Sequence, residues 1–292
     1  MRFSAFATAC FLVVATSCNL AAADPVRLGI LANRGELAAK TQWSDFAAWT
    51  GEQLGRPGEL VPLPIGGVAP IIAQGGVDLV ICNPGLAARI VIESKAVPLA
   101  TWKAKDGAVR MAGVILVNPQ AGITTIEQLK GRKVMTYGDD SAGAWQFQAA
   151  LMISRGLDPG KDIVRTISKK QDDIVLAVKA GVFDAGFVRN GVFEDLVARG
   201  KLATSDVTVL EVQPVEAGFT HVRSTPFYPE WFLLASAKLD AASATKLAQA
   251  CIALPAGTPA LAKADITGWV APLELEQTTA LLKLLKLPPF DR

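Results

Sequence analysis

The sequence predicts an α/β protein of two lobes around a central cleft, and three observations predict it. Apolar runs of strand length end in Gly, Asn or Pro turns and lead into stretches with helical apolar spacing, first over residues 26–54 and again over 77–93. The same rhythm resumes after the turn Asn118-Pro119-Gln120-Ala121-Gly122. A second turn-rich segment, 224–231, then returns the chain to strand and helix patterns that complete the first unit. Two crossings between α/β lobes imply a cleft backed by hinge strands.

Residues 26–32 alternate and read as the first strand, and Asn33-Arg34-Gly35 turns the chain. A helix follows over 36–54, with Trp43, Phe46, Ala47, Thr50 and Leu54 on one face and Gly55 closing it. Residues 59–63 form a second strand, 68–74 a short helix, and 77–82 a continuous apolar run of the kind found in buried parallel strands. Asn83 and Pro84 suit the N-cap and first position of a helix over 85–93. With strands at 97–103 and 111–117, lobe one is expected to span 24–118 and 225–292.

Lobe two, expected over 119–224, starts with a short helix at 125–131 and a strand at 133–136. The chain breaks at Gly138-Asp139-Asp140. From Ser141 a helix is predicted, with Trp145, Ala149 and Met152 on one face and Gly156 at its C-cap. Further strands are expected at 163–167, 184–188, 207–212, 219–222 and 231–236. Helices are expected at 172–180, 190–198, from Asp240 to 254, and at 274–286.

Charge and cysteines exclude several classes. Lys and Arg number 29 against 27 Asp and Glu. Without Arg2 the balance is 28 against 27, and no basic patch marks a nucleic-acid partner. Met1-Arg2, an apolar run over 3–15 and Ala21-Ala22-Ala23 before Asp24 make residues 1–23 a signal peptide, too short for a membrane span. The mature chain is therefore expected to be exported and periplasmic. Ala15-Thr16-Ser17-Cys18 is similar to a lipobox, with Ala in place of the usual Leu three residues before the cysteine, so anchoring through Cys18 ranks second. The mature chain keeps Cys82 and Cys251, which make no disulfide framework. His221, the lone histidine, argues against a metal cluster and against a Ser-His-Asp triad, and no cofactor is expected.

Two strand–helix junctions carry the candidate site. A helix starting at Ser141 leaves free N–H groups on Ala142 and Gly143 at its positive dipole end, complementary to an anion. Such junctions are common and many bind nothing; the second one at Cys82-Asn83-Pro84-Gly85 gives this one its weight. In open α/β sheets ligands sit outside the carboxyl ends of strands, where both junctions fall. Asn83 reads as a helix cap that also meets the ligand. Arg189, after the strand 184–188, either clamps an anion or pairs with Glu194 or Asp195. Trp145 and Trp231 are the tryptophans placed near ligand, with Tyr228 beside the return crossing. Cys82 is expected at the cleft rim, its thiolate favoured by the adjacent helix N-terminus, and an enzyme using Cys82 is the competing class.

The motifs Asn33-Arg34-Gly35, Asp78 through Gly85, Ser141 through Gln146, Asp184 through Arg189, Tyr228 through Trp231, Gly268-Trp269 and Leu287-Pro288-Pro289 stand in order along the chain. In these the sequence resembles the periplasmic substrate-binding proteins of phosphate, phosphite and phosphonate transporters. It is most similar to the version that serves as the sensor domain of tetrathionate-type histidine kinases, and is expected in stand-alone form without a kinase module after Arg292. The resemblance implies a type II periplasmic-binding fold and a small anionic ligand, a phosphonate-, phosphite- or phosphate-like or sulfur oxyanion. It implies a non-catalytic, monomeric binder serving a membrane permease or a separate sensor kinase. Departures, several of them at expected cleft positions, are Cys82 in place of Thr, Ala142-Gly143-Ala144 in place of Phe-Gly-Gly, Gln171 in place of His, Phe187 in place of a small polar residue and Phe232 in place of Pro. The relatives' ligands therefore do not transfer directly.

Overall fold

The computed structural model describes residues 23–32, 35–64 and 66–291. Residues 1–22 lie outside it, so the signal-peptide and lipobox readings fall outside the described residues, as do Asn33 and Arg34.

The chain opens with β1 (Val26–Leu31), α1 (Glu36–Gln53), β2 (Gly58–Leu63), α2 (Val68–Ala73), β3 (Leu79–Cys82), α3 (Pro84–Ser94) and β4 (Val97–Ala104). A two-residue strand β5 (Arg110–Met111) precedes β6 (Gly113–Val117) and β7 (Lys133–Thr136). A wide turn over Ala142–Gln146 runs into α4 (Phe147–Ser154), followed by β8 (Val164–Ile167), α5 (Gln171–Lys179), β9 (Ala185–Arg189), α6 (Val192–Ala198) and β10 (Thr208–Leu210). The return is β11 (Tyr228–Pro229), β12 (Phe232–Ala235), α7 (Ala241–Ala253), α8 (Pro259–Ala262), β13 (Ile266–Val270) and α9 (Glu276–Leu284).

These strands build two large sheets and a two-stranded one, β5 with β11. The first has the order β13-β4-β12-β3-β1-β2, with β1 parallel to β2 and β3, and β12 and β13 antiparallel to their neighbours. The second has the order β10-β6-β9-β7-β8, parallel through β9, β7 and β8. Central strands are buried along their whole length, as in β3 and β6, which explains their unbroken apolar sequences. Helices cover both faces, giving the type II periplasmic-binding fold of two α/β lobes.

The crossing between lobes lies earlier than the sequence suggests. Residues 111–117 read as one strand of lobe one, but the strand splits at Ala112. β5 pairs with β11 as a two-stranded hinge, whereas β6 pairs with β9 and β10 in the second sheet. Ala112 is held at the break by Asn190, whose Oδ1 accepts from its N–H at 2.9 Å and whose N–H donates to its carbonyl at 3.0 Å. Asn118-Pro119 turns the chain at the far end of β6, capped by the Asn118 side chain. Residues 219–222 form no strand; a single bridge joins Glu216 to Phe219. In the other direction, β13 was not expected. Gly268 breaks its apolar pattern, and pairing with β4 across a bulge makes it a strand.

The core of lobe one carries a run of aromatics from α1 to the cleft. Trp43 stacks on Trp102 at 5.9 Å, and Trp102 on Trp231 at 4.9 Å with planes 4° apart. Phe46 packs edge-on to Trp43 and stacks on Trp269. Burying each such ring contributes about 1.5–3 kcal/mol, so this column fixes the wall on which Trp231 sits.

Candidate functional site

A small cavity of ≈ 40 Å³ lies where the lobes meet. Lobe one supplies Leu31, Asn83 and Trp231, and the hinge supplies Met111. Lobe two supplies Tyr137, Asp140, Ser141, Ala142, Gly143, Gln171 and Arg189. Six residues singled out from sequence thus come together: Asn83, Ser141, Ala142, Gly143, Arg189 and Trp231.

Asn83 serves two purposes. Its Oδ1 caps α3 by accepting from the Leu86 N–H at 3.1 Å, while Nδ2 donates to the Asp140 carbonyl across the cleft at 2.9 Å. The Asp140 carboxylate also accepts from the Gly66 N–H of lobe one. Burial pushes the Asp140 carboxyl above its usual range, with Asp139 adding to the shift and Arg89 opposing it.

The Ser141 junction differs from the expected α-helix start. The Ser141 side chain makes no cap hydrogen bond, and the turn over Ala142–Gln146 is π-type, with Ala144 at φ −123° and ψ 17°. The cause is Gln148. Its buried Nε2 donates to the carbonyls of Gly143 at 2.8 Å and Val188 at 2.9 Å, tying the widened turn to β9. The opening N–H groups of such a turn have no intrahelical acceptor and suit an anion. Gly143 is required here, because a Cβ would lie 2.5 Å from Met111 Cε and 2.8 Å from Arg189 Cβ.

Arg189 pairs with neither Glu194 nor Asp195. Its NH2 lies 2.8 Å from Oε1 of Glu230, a residue with no exposed side-chain surface, and the other oxygen of Glu230 accepts from Trp102 Nε1 at 2.9 Å. Glu194 instead accepts from the N–H groups of Gly191 and Val222, and Asp195 pairs with Arg199. The Arg189 N–H donates to Gln171 Oε1 at 2.9 Å, so the first residue of α5 also orients the end of β9.

Three expected residues lie elsewhere. Cys82 is fully buried in β3, paired opposite Phe232, and does not line the cavity. Burial pushes its thiol far up, the reverse of the expected dipole-lowered thiolate, because the strand end lies in the core beside β12 rather than at the cleft rim. Trp145 packs in the lobe-two core against Phe187, with the Arg165 guanidinium 3.4 Å from its ring centroid. Tyr228 stacks on Phe147 at 3.9 Å in the hinge, and burial pushes its hydroxyl up to about 12. It borders a separate cavity behind the hinge with Arg110, Phe227 and Leu273. Glu230 and Asp140 were missed from sequence, whereas Gln171 was singled out only as a departure from the family pattern. Glu230 stands next to the flagged Trp231, and Asp140 next to Ser141, so adjacency was the available signal.

Among the described residues no group of three or more His, Cys, Asp or Glu side chains is placed to hold a metal, and no helix is long and apolar enough to cross a membrane.

The family model of the phosphonate ABC-transporter periplasmic substrate-binding protein matches residues 28–275. The chain belongs to this family. Its members are substrate-binding proteins rather than enzymes, which sets aside the Cys82 enzyme reading. The tetrathionate sensor histidine kinase TtrS of Salmonella typhimurium is 28% identical over 283 residues, covering 94% of this chain and 46% of that protein. The chain thus spans about half the length of this relative. The same fold appears in XAC2383 from Xanthomonas citri bound to chloride, with TM-score 0.75, 17% identity and coverage of 89% and 98% of the two chains. It appears again in PhnD1 from Prochlorococcus marinus (MIT 9301) in complex with methylphosphonate, with TM-score 0.69, 15% identity and the same coverages.

Proposed function

We propose that this family member is an exported periplasmic protein that captures a small phosphorus oxyanion of the phosphonate kind between its lobes. The observation that carries this reading is the cavity in which the Ala142–Gly143 turn and Arg189 of lobe two face Asn83 and Trp231 of lobe one. N–H donors and a guanidinium from one lobe, closed over by the other, suit a tetrahedral oxyanion. The methylphosphonate complex of a protein with the same fold supports the same ligand class. Hinge closure at β5 and β11 would couple occupancy to the surface offered to a membrane permease.

A thermal-shift screen over phosphonates, phosphite, phosphate and sulfur oxyanions tests it. At a ligand concentration of 100 Kd the stabilisation is about 2.7 kcal/mol. Preference for a sulfur oxyanion over every phosphorus oxyanion would overturn the ligand class, and turnover of ligand seen by mass spectrometry would overturn the binder reading.

The likeness to TtrS favours a second reading of the partner, in which the loaded protein docks on the periplasmic side of a separate sensor kinase. Ligand-dependent binding to a kinase sensor region but not to a permease would select it.

A further inference from the structure

We propose that the cleft is built for an oxyanion bearing a single negative charge, and that Glu230 sets this limit by neutralising and positioning Arg189; the inference rests on the ligand reading above and narrows it. Arg189 is the one lysine or arginine among the described residues lining the cavity. The Arg189 side chain keeps 27% of its surface while that of Glu230, 2.8 Å away, keeps none. Glu230 has no freedom to leave when ligand arrives. Trp102 Nε1 holds its second oxygen, Trp102 is stacked against Trp231, and the Glu230 N–H donates to the Val109 carbonyl at 2.9 Å. A buried carboxylate parted from its cation is strongly disfavoured, so the pair persists in the loaded state.

The charge balance follows. Arg189 and Glu230 cancel, and Asp140, the remaining charged residue lining the cavity, is a carboxylate. The N–H groups at the start of the Ala142 turn contribute only a fraction of a positive charge. That suits one negative charge spread over two or three oxygens. A second full charge would be desolvated without a counter-charge. Titratable and charged groups around the site are Asp140 and Tyr137 from the segment after β7, with Asp139 and Arg89 acting on the Asp140 carboxyl. A probe whose own charge is constant separates their effect from that of the ligand.

The experiment measures Kd calorimetrically for methylphosphonate and dimethylphosphinate from mildly acid to mildly alkaline pH. Methylphosphonate gains its second charge in this range. Dimethylphosphinate, with a methyl group in place of one oxygen, stays singly charged and reports the protein's own titrations. The expected result is a methylphosphonate-to-dimethylphosphinate Kd ratio that grows toward about tenfold per pH unit, since only the singly charged fraction is competent. Glu230→Gln keeps the shape and the Trp102 hydrogen bond while removing the charge, and is expected to cut the alkaline ratio by roughly tenfold. A wild-type ratio that does not change with pH overturns the inference while leaving phosphonate binding intact. A folded Glu230→Gln protein that weakens both probes equally overturns the role of Glu230. Failure of both probes to bind at any pH overturns this inference and the ligand reading together. Where Glu230→Gln does not fold, the wild-type ratio decides.

Discussion

Asn83 Nδ2 in lobe one donates to the carbonyl oxygen of Asp140 in lobe two at 2.9 Å, while the Oδ1 of the same amide caps α3. One side chain therefore starts a helix and joins the lobes over the cavity. The two jobs separate by substitution. Asn83→Ser keeps a capping oxygen but is too short to reach Asp140. Its melting temperature should stay near that of the wild type, while ligand affinity falls by about fivefold, the worth of one neutral hydrogen bond. Asn83→Ala should lose both, with a further destabilisation of about 1 kcal/mol from the missing cap. Calorimetry and thermal melts on the pair check it, and equal affinity of Asn83→Ser and wild type would show that the bridge is absent from the loaded state.

Cys82 and Cys251 are both fully buried, and burial pushes both thiols far above their ordinary range. In the native protein neither should react with iodoacetamide at neutral pH, with or without ligand, and both should react in denaturant. The sign of the pH effect follows from the raised values. The folded state keeps its thiol protons when the unfolded state has lost them, so stability is full below the unfolded thiol pKa of about 8.5 and falls above it. Each thiol contributes a slope of about 1.4 kcal/mol per pH unit. Denaturant melts at alkaline pH should show Cys251→Ala with a shallower decline than wild type.

Much of this fold is legible in the sequence because central parallel strands must be apolar throughout and helices must carry one apolar face. The runs at β3 and β9 and the stripe on α1 say as much. Strand ends and helix starts were legible for the same reason, which found Asn83, the Ser141 turn and Arg189. Partner choice was not. Arg189 has Glu194 and Asp195 close by in sequence, yet pairs with Glu230, 41 residues on, because β5 and β11 bring the return crossing beside the end of β9. The Cys82 position was misread for a related reason. A residue at a strand's end is exposed only if nothing covers it, and this one is fully buried with β12 paired beside it. The split of 111–117 at Ala112 has no compositional mark, since Ala is at home in a continuous strand.

Gly143 sits where the π-type turn passes beneath the end of β9. A Cβ there would come 2.5 Å from Met111 Cε and 2.8 Å from Arg189 Cβ. The methionine end can rotate away, but the arginine Cβ moves only with its backbone, and displacing it strains the pair with Glu230. Gly143→Ala should cost about 1–3 kcal/mol of stability and weaken binding at least tenfold. A variant with unchanged ligand affinity would place the bound ligand away from this turn.

Gly85 and Gln146 face each other across the lobes. A Cβ on Gly85 would lie 2.2 Å from Gln146 Oε1, a buried atom with no hydrogen-bond partner among the described residues, while Gln146 Nε2 donates to the Asp139 carbonyl at 2.9 Å. Gly85 is the second residue of α3, so alanine is compatible with its own helix; the obstruction lies entirely on the other lobe. Gly85→Ala should therefore leave each lobe folded but hold them apart, weakening ligand affinity by roughly 5- to 150-fold, the equivalent of an overpacking cost of about 1–3 kcal/mol charged to closure. Trimming the opposing side chain removes the obstacle. Gln146→Ala added to Gly85→Ala should recover most of the lost affinity, and the double-mutant cycle should show a coupling of about 1 kcal/mol or more. Additive losses in that cycle would mean that α3 and the Gln146 turn do not touch when ligand is bound.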